Sequence, residues 1–368
     1  MLNTDHAGIG RTENDNTVIE HNRIDYAGIE VSAEELIVAL RREEKLQALK
    51  SFPNSPQGHQ AIVRYLARPG RQVRVCLEST GVYGLDLALA LHAAAGIEVM
   101  VANPRAVRHF AEALMQRSKN DRLDALVILE FAARMPFQAW QPPSPAARHL
   151  CALARRLEAL TELCAAEKNR LHAAGATQDL PPIIRQDLER SLRFHARAMQ
   201  RLKKEALNVV AQDPELQRKF QLLRSVKGIA EASALHILAA VAVLSPDLDV
   251  RQWVAYAGLD PRECSSGSSV HKKTRISKAG NRHLRRALYM PALVAVRHEP
   301  HFRAYYDHLL ARSKTKMQAL VAVMRKLLHA IYGMFRLQMP FDGSRVYQLP
   351  QSMRVNSAPC TKEVAYAA

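Results

Sequence analysis

Tyr26-Ala27-Gly28-Ile29-Glu30-Val31 and Leu36-Ile37-Val38-Ala39-Leu40 are two short apolar runs that decide the fold of the first part of the chain. Each has the length and the composition of a β-strand. Residues 72–78 alternate between apolar and polar side chains, and residues 97–101 form a further apolar run. Helices are expected between and after these strands, at about 57–68, 84–95 and 119–134. Strands that alternate with helices are typical of an α/β sheet layer.

The rest of the chain is predicted to be helical. Gln141-Pro142-Pro143-Ser144-Pro145 excludes a helix and predicts a stiff linker. Two long, charged segments follow, typical of a helical hairpin or coiled coil, and a mostly helical part comes after them with a polar loop at 260–281. The fold class is therefore α/β plus all-α. The predicted parts are a disordered leader (1–24), an α/β domain (25–140), a helical hairpin that oligomerises (141–221), a mostly helical domain (222–340) and a flexible tail (341–368).

Charge and composition narrow the class of partner. The formal net charge is +17, and residues 141–368 hold 36 Lys and Arg against 18 Asp and Glu, whereas residues 25–140 hold 14 against 13. Such an excess favours a polyanionic partner, and nucleic acid above all. No apolar run approaches the ~20 residues that span a bilayer. The five cysteines show no metal spacing and the first twenty residues hold no apolar block, so we expect a reducing cytoplasm, no zinc site and no signal peptide.

Four acidic residues could form a metal site. Glu30 lies in the first strand, Glu78 ends the alternating strand, and Asp121 and Asp124 share one face at the start of a helix. Hard divalent ions prefer carboxylate and phosphate oxygens, and an RNase H-like fold builds such sites from acids at strand ends and on a neighbouring helix. Two simpler interpretations stay open. Asp121 and Asp124 could be ordinary acids at a helix start, which the helix macrodipole favours, and Glu78 could be a solvated strand end.

A serine near the C-terminus is a candidate nucleophile. Ser266 precedes Gly267 in a Ser/Gly-rich segment, and a plain surface loop is the simpler interpretation of it. From Arg262 to Arg286 there are eight Lys and Arg against only Glu263, which suits a scissile phosphate. Ser265 is the rival hydroxyl. The predicted nucleic-acid-binding residues are Lys272, Lys273, Arg275, Lys278, Arg282, Arg285 and Arg286.

Several motifs occur in one order along the chain. They are Gly28-Ile29-Glu30-Val31-Ser32, Glu78-Ser79-Thr80-Gly81-Val82-Tyr83, Asn103-Pro104, Lys119-Asn120-Asp121-Arg122-Leu123-Asp124-Ala125, Val226-Lys227-Gly228-Ile229, Tyr256-Ala257-Gly258-Leu259-Asp260-Pro261, Ser265-Ser266-Gly267, Ile276-Ser277-Lys278-Ala279-Gly280-Asn281 and Leu284-Arg285-Arg286. Together, over roughly residues 25–335, they resemble the DEDD transposases of the insertion-sequence 110 and 1111 group.

The resemblance implies a RuvC-like, that is RNase H-like, N-terminal domain in which Glu30, Glu78, Asp121 and Asp124 bind Mg²⁺ or Mn²⁺. It also implies that Ser266 attacks DNA. The partners that it implies are donor and target DNA, a noncoding guide RNA and further copies of the chain, as a dimer or a tetramer. Glu30 stands where the family usually has Asp, and the extra methylene can displace a bound metal by about one bond length.

Two other functions are compatible with the same residues. A metal-dependent, structure-selective nuclease of the Holliday-junction-resolvase type would use the carboxylates and ignore Ser266. A non-catalytic nucleic-acid-binding protein would need neither, and its binding would be sensitive to salt.

Overall fold

The structure is a computed structural model that describes residues 24–78, 81, 83–116, 118, 120–176, 179–266 and 270–349, with the backbone alone at 264, 266 and 270–273. The predicted leader, except for Ile24, lies outside the described residues. The chain divides into two compact units, Met1–Pro142 and Pro143–Ala368, so the division falls within the predicted linker.

The N-terminal unit is built on one mixed sheet. Its strands are β1 (Ile24–Val31), β2 (Glu35–Arg42), β3 (Lys45–Leu46), β4 (Lys50–Pro53), β5 (Gln72–Glu78) and β6 (Ile97–Ala102). Their order is β3-β2-β1-β5-β6, with β4 also paired to β2. β1 is antiparallel to β2 and parallel to β5, which is parallel to β6. This order matches an RNase H-like sheet, so the predicted fold of this domain is confirmed.

Helices cover both faces of the sheet. They are α1 (Pro56–Leu66), α2 (Leu85–His92), α3 (Pro104–Ala113) and α4 (Asp121–Arg134). One core joins α1 and α2 to the face of Ala27 and Ile29, and α3 and α4 pack on the opposite face, which includes Cys76. Alternation along β1 and β5 therefore decides which residues face each helical layer.

The C-terminal unit consists of eight helices, a hairpin and one short 3₁₀ turn in its described residues. The helices are α5 (Pro145–Ala174), α6 (Pro182–Gln212), α7 (Pro214–Arg224), α8 (Glu231–Val241), α9 (Val250–Tyr256), α10 (Arg282–His298), α11 (Pro300–Ala311) and α12 (Lys316–Leu337). The hairpin joins β7 (Pro261–Ser266) to β8 (Val270–Ile276), and the 3₁₀ turn is Gly343–Arg345. An α/β part followed by helices confirms the predicted fold class.

One hydrophobic core holds the C-terminal unit together. Leu150 of α5 and Val210 of α6 belong to the same cluster as residues of α8, α10 and α12. The domain boundary predicted at 221–222 falls within α7. Trp253 is buried there, edge-on to Tyr332 at a centroid distance of 5.3 Å.

Two segments of the C-terminal unit differ from the sequence prediction. The polar loop predicted at 260–281 contains the β7–β8 hairpin, because Val270, Thr274 and Ile276 favour an extended backbone despite their polar neighbours. The predicted flexible tail begins as packed structure, with Phe341 stacked on Phe302 at 5.7 Å. The remainder of that tail, 350–368, lies outside the described residues. No described helix combines the length and the apolar character needed to cross a membrane.

Candidate active site

Glu30 is the penultimate residue of β1 and Glu78 is the last residue of β5, its neighbour inside the sheet. β1 and β5 run parallel, and their ladder pairs Gly28 with Cys76 and Ile29 with Leu77. Glu30 and Glu78 are the next residue on each strand, and both side chains are half-buried. Two residues apart along a strand means the same face, so both acids lie on the face of Gly28 and Cys76.

Helix α4 crosses this face antiparallel to β1. Its Glu130 is paired with Arg41, which is opposite Tyr26 in the β1–β2 ladder. Ala125 precedes Glu130 on the helix, and Gly28 follows Tyr26 on the strand. The Ala125 carbonyl oxygen lies so close to Gly28 that a Cβ added to Gly28 would be 2.4 Å from it. The helix therefore begins towards the carboxyl end of β1, where Glu30 lies.

Asp121 and Asp124 occupy the first turn of α4. Asn120 caps the helix, and its side-chain oxygen accepts a hydrogen bond from the Leu123 amide at 2.9 Å. Asp121 is exposed and Asp124 is half-buried. Ile37, the cross-strand partner of Glu30, belongs to the same small core cluster as Ala125. The topology thus brings all four predicted acids to one edge of the sheet, called here the carboxylate edge (Glu30, Glu78, Asp121 and Asp124).

The carboxylate edge meets the requirements of a metal ion in part. Carboxylate oxygens are the ligands that Mg²⁺ and Mn²⁺ prefer, so the chemistry of the donor set fits. Among the described side chains, however, no three His, Cys, Asp or Glu residues are grouped closely enough to hold a metal ion. The acids fit by type and by shared edge, without converging into one cluster.

Cys76 lies beneath this edge, on the same face as Glu78. Burial and the charge of Glu78 raise the pKa of its thiol to about 12. A thiol with such a pKa stays protonated at neutral pH and is a poor nucleophile. Cys76 therefore acts as a core residue.

Ser266 lies at the tip of the β7–β8 hairpin, called here the serine hairpin (residues 261–276). It is the last residue of β7 and pairs with Val270 across the turn, while Ser265 pairs with His271. The side chains of Ser266, Lys272 and Lys273 lie outside the described residues, as does Gly267. The choice between Ser266 and Ser265 stays a prediction.

Long-range hydrogen bonds close the foot of the serine hairpin. The hydroxyl of Ser277 donates to a carboxylate oxygen of Asp260 at 2.5 Å, and the Ser277 amide donates to the Asp260 carbonyl at 2.9 Å. Asn281 caps α10 and donates from its side chain to the hydroxyl of Tyr256 at 2.6 Å. None of these residues was predicted to be functional, although all of them lie in the motifs on which the resemblance rests.

The predicted nucleic-acid-binding residues fall into two groups. Arg275, Lys278 and Arg282 are exposed and form no ion pair with any residue that the structure describes. Arg285 donates to the carbonyl of Ala257 at 2.9 Å, and Arg286 is paired with Glu158 at 3.2 Å and with Glu162. The first group is available to phosphate, while the second is already used within the unit.

These features define a protein that joins an RNase H-like domain with an acidic edge to a helical domain with an exposed basic segment. Two family models match the chain: residues 27–174 match one described as "Transposase", and residues 220–307 match one described as "Transposase IS116/IS110/IS902 family". The chain belongs to this family of insertion-sequence transposases. Membership supports a DNA-cleaving or recombining enzyme in general.

Individual proteins show the same relationship. The pilin gene-inverting protein of Moraxella lacunata is 30% identical over 299 residues, which cover 79% of this chain and 90% of that protein. The protein of the same name from Moraxella bovis is 29% identical over the same shares. A 43.6 kDa protein of the insertion element IS110 from Streptomyces coelicolor is 33% identical over 115 residues, 31% of this chain and 28% of that protein.

RuvC from T. thermophilus, solved in complex with a Holliday junction substrate, is also similar. It is 21% identical, with a TM-score of 0.24, and the match covers 30% of this chain and 96% of RuvC.

Proposed function

We propose that this protein is the transposase of an insertion sequence and cuts and rejoins DNA through Ser266, assisted by Mg²⁺ or Mn²⁺ at the carboxylate edge. The observation that carries the proposal is that the fold brings Glu30, Glu78, Asp121 and Asp124 to one sheet edge in a chain of a transposase family. The relatives named for gene inversion support rearrangement of DNA over simple hydrolysis.

In the proposed reaction, the Ser266 oxygen forms a bond to a DNA phosphorus, the bond from phosphorus to the leaving strand oxygen breaks, and the serine proton passes to solvent or to a nearby base. A hydroxyl of the partner strand then attacks the phosphoserine and releases the serine. A metal held at the carboxylate edge would supply Lewis-acid polarisation of the phosphate or the leaving oxygen. Arg275, Lys278 and Arg282 would hold the neighbouring phosphates.

The partners follow from the same proposal. Donor and target DNA are the substrates, and an element-encoded noncoding RNA selects them, bound by the basic residues of the long helices. The protein acts as a homo-oligomer, a dimer or a tetramer, in which the carboxylate edge and the serine of one reaction come from different subunits. We place the reaction in the cytoplasm, where the free thiols of Cys76, Cys151 and Cys164 stay reduced.

The test is strand transfer by the full-length protein. It is incubated with Mg²⁺, the RNA encoded beside its element, and labelled donor and target DNA, next to Ser266→Ala and Asp121→Ala. Glu215→Ala is the matched control, since Glu215 is also an exposed acid in the first turn of a helix. We expect recombinant DNA and a denaturation-resistant protein–DNA adduct from the wild type and the control.

The two site variants separate the candidate functions. Ser266→Ala is expected to lose the adduct and both variants to lose the products. Cleavage that survives Ser266→Ala and is lost in Asp121→Ala would instead make the protein a metal-dependent nuclease. An adduct that survives Ser266→Ala and is lost in Ser265→Ala would move the nucleophile by one residue. If the wild type binds DNA in a salt-sensitive way and forms no products, the protein is a non-catalytic nucleic-acid-binding protein.

A further inference from the structure

The side chain of Asn54 connects two loops that leave the carboxylate edge. Its amide nitrogen donates to the carbonyl of Ser32 at 2.8 Å and to the carbonyl of Tyr83 at 3.1 Å. Ser32 follows Glu30 by two residues, and Tyr83 follows Glu78 by five. The Asn54 side chain thus connects the loops that follow β1 and β5, the two strands that carry the glutamates.

His59 fixes the orientation of this side chain. Its Nε2 lies 2.8 Å from the Asn54 side-chain oxygen, and His59 is buried, with 7% of its surface exposed. Because a carboxamide oxygen only accepts hydrogen bonds, the His59 Nε2 must carry the proton. Burial lowers the pKa of His59, and the charge of Asp86 opposes the shift only in part, so the ring is neutral at pH 7.

The local backbone holds the pair in place. The main-chain amide of Asn54 donates to the carbonyl of Glu34 at 2.8 Å, which ties the end of β4 to the β1–β2 turn. The Ser55 hydroxyl caps α1 by accepting from the Gly58 amide at 3.2 Å. Gly58 is required because an added Cβ would be 1.9 Å from the Pro53 carbonyl oxygen. The chain therefore reverses tightly enough for Asn54 and His59 to face each other.

The position of this pair matters because the β1–β5 ladder stops just short of the acids. Its last paired residues are Ile29 and Leu77, one residue before Glu30 and Glu78. Each acid stays paired on its outer side, Glu30 with Ile37 and Glu78 with Ala102, while Asn54 joins the loops that follow the two strands. Groups that hydrogen-bond directly to metal ligands commonly change metal affinity about 10–100-fold when removed. Asn54 acts on the backbone that follows each acid, so we expect an effect at the lower end of that range.

We propose that Asn54, oriented by His59, is a positioning residue that sets the relative placement of Glu30 and Glu78 and thereby the affinity of the carboxylate edge for a divalent cation. This inference rests on the proposed function, since it takes the carboxylate edge to be the metal site. It assigns a role to residues that contact neither the metal nor the DNA.

The test measures Mn²⁺ binding to the full-length protein by the loss of the free Mn²⁺ signal in electron paramagnetic resonance. Asn54→Ala removes the bridge, and Asn54→Asp keeps the acceptor for His59 while it removes both donated hydrogen bonds. We expect each to weaken Mn²⁺ binding about 10-fold. His59→Gln, which can still donate to Asn54, is expected to bind Mn²⁺ nearly as the wild type does.

Gln47→Ala is the matched control. The Gln47 amide also donates to a backbone carbonyl, that of Lys45 at 3.1 Å, next to the β2–β3 turn at the other end of the sheet. Its Mn²⁺ affinity should be that of the wild type. Thermal unfolding of every variant is recorded without metal, since a purely structural role would lower the unfolding temperature and leave Mn²⁺ affinity unchanged. If Asn54→Ala does not fold, Asn54→Asp decides.

The outcomes distinguish this inference from the proposed function. Binding of Mn²⁺ that is lost in Asp121→Ala but unchanged in both folded Asn54 variants would overturn the positioning role alone. A wild type that binds no Mn²⁺, or an Asp121→Ala variant that binds it equally well, would overturn the metal site and the positioning role together. Binding weakened in the Asn54 variants, retained in His59→Gln and unchanged in Gln47→Ala would establish the positioning role.

Discussion

In the N-terminal unit, Glu30 and Glu78 lie at the carboxyl ends of inner strands of a sheet that is covered by helices on both faces. In the C-terminal unit, Ser266 ends one strand of a two-stranded hairpin that is fastened at its foot by Asp260 and Ser277. A two-stranded hairpin alone is marginally stable in water, whereas a buried sheet is held by its core. The acids are therefore positioned by the sheet and its core, with Asn54 joining the loops that follow two of them, and the serine is positioned by a few polar contacts.

The largest effect on stability and strand transfer is expected from a side chain added at Gly28, where β1 contacts α4. In Gly28→Ala, the new Cβ would be 2.2 Å from the Leu129 amide nitrogen and 2.4 Å from the Ala125 carbonyl oxygen. Both are backbone atoms, so α4 must move, and Asp121 and Asp124 move with it. We expect the stability of the N-terminal unit to fall by about 3 kcal/mol and strand transfer to fall about 100-fold or more. Hydrogen exchange of β1 and α4, with the strand-transfer assay, measures both.

Gly333→Ala is the control for this substitution. Gly333 lies inside α12, and nothing is within 4 Å of the added Cβ. The substitution should stabilise the helix by about 1 kcal/mol and leave strand transfer unchanged. A Gly28→Ala variant with normal exchange in α4 would show that the helix does not define the edge.

The middle effect concerns the foot of the serine hairpin. Asp260→Ala removes the acceptor of the Ser277 hydroxyl and frees the hairpin to change its direction. Because small misplacements of a nucleophile slow its reaction steeply, we expect strand transfer to fall about 10–100-fold with DNA affinity unchanged. Asp247→Ala is the matched control, since Asp247 also accepts from a nearby serine hydroxyl, that of Ser245 at 3.5 Å. Equal rates in the two variants would contradict a fastened hairpin.

The smallest effect separates the two groups of basic residues. Arg282→Ala removes an exposed charge, so we expect DNA binding to weaken a few-fold and the slope of log affinity against log salt to decrease by about 1. Arg286→Ala should change the slope less, because Glu158 and Glu162 already neutralise that guanidinium. Fluorescence anisotropy over a salt series provides the measurement. Identical slopes for both variants would show that DNA displaces the glutamates.

The sequence predicts the strands correctly where apolar runs or alternating side chains mark them. The alternation in residues 72–78 and the apolar run around Gly28 each predict a strand, and both strands are confirmed as β5 and β1. Strand β4 is not predicted from the sequence, because Pro53 and Pro56 give residues 51–56 the composition of a turn. The composition of the serine hairpin predicts a loop for a similar reason, since polar residues outnumber its strand formers.

What the sequence could not predict are side-chain contacts between distant residues. Asn54 bonds to residues 22 and 29 positions away, and Ser277 bonds to a residue 17 positions away. No local periodicity specifies such a pair, because each depends on how the finished sheet or helical core brings two loops together. The same holds for Arg286, whose two glutamates lie on α5.

The close approach at Gly28 also bears on how this protein can evolve. Between β1 and the first turns of α4 there is main chain on both sides, and the gap is set by atoms that every amino acid possesses. Substitutions elsewhere in the core change the side chains that pack there, but they add no atoms between Gly28 and α4. The spacing between β1 and α4, which helps to place Asp121 and Asp124, therefore does not depend on side-chain size at this contact. Apolar residues elsewhere in the core can be substituted while this spacing is kept.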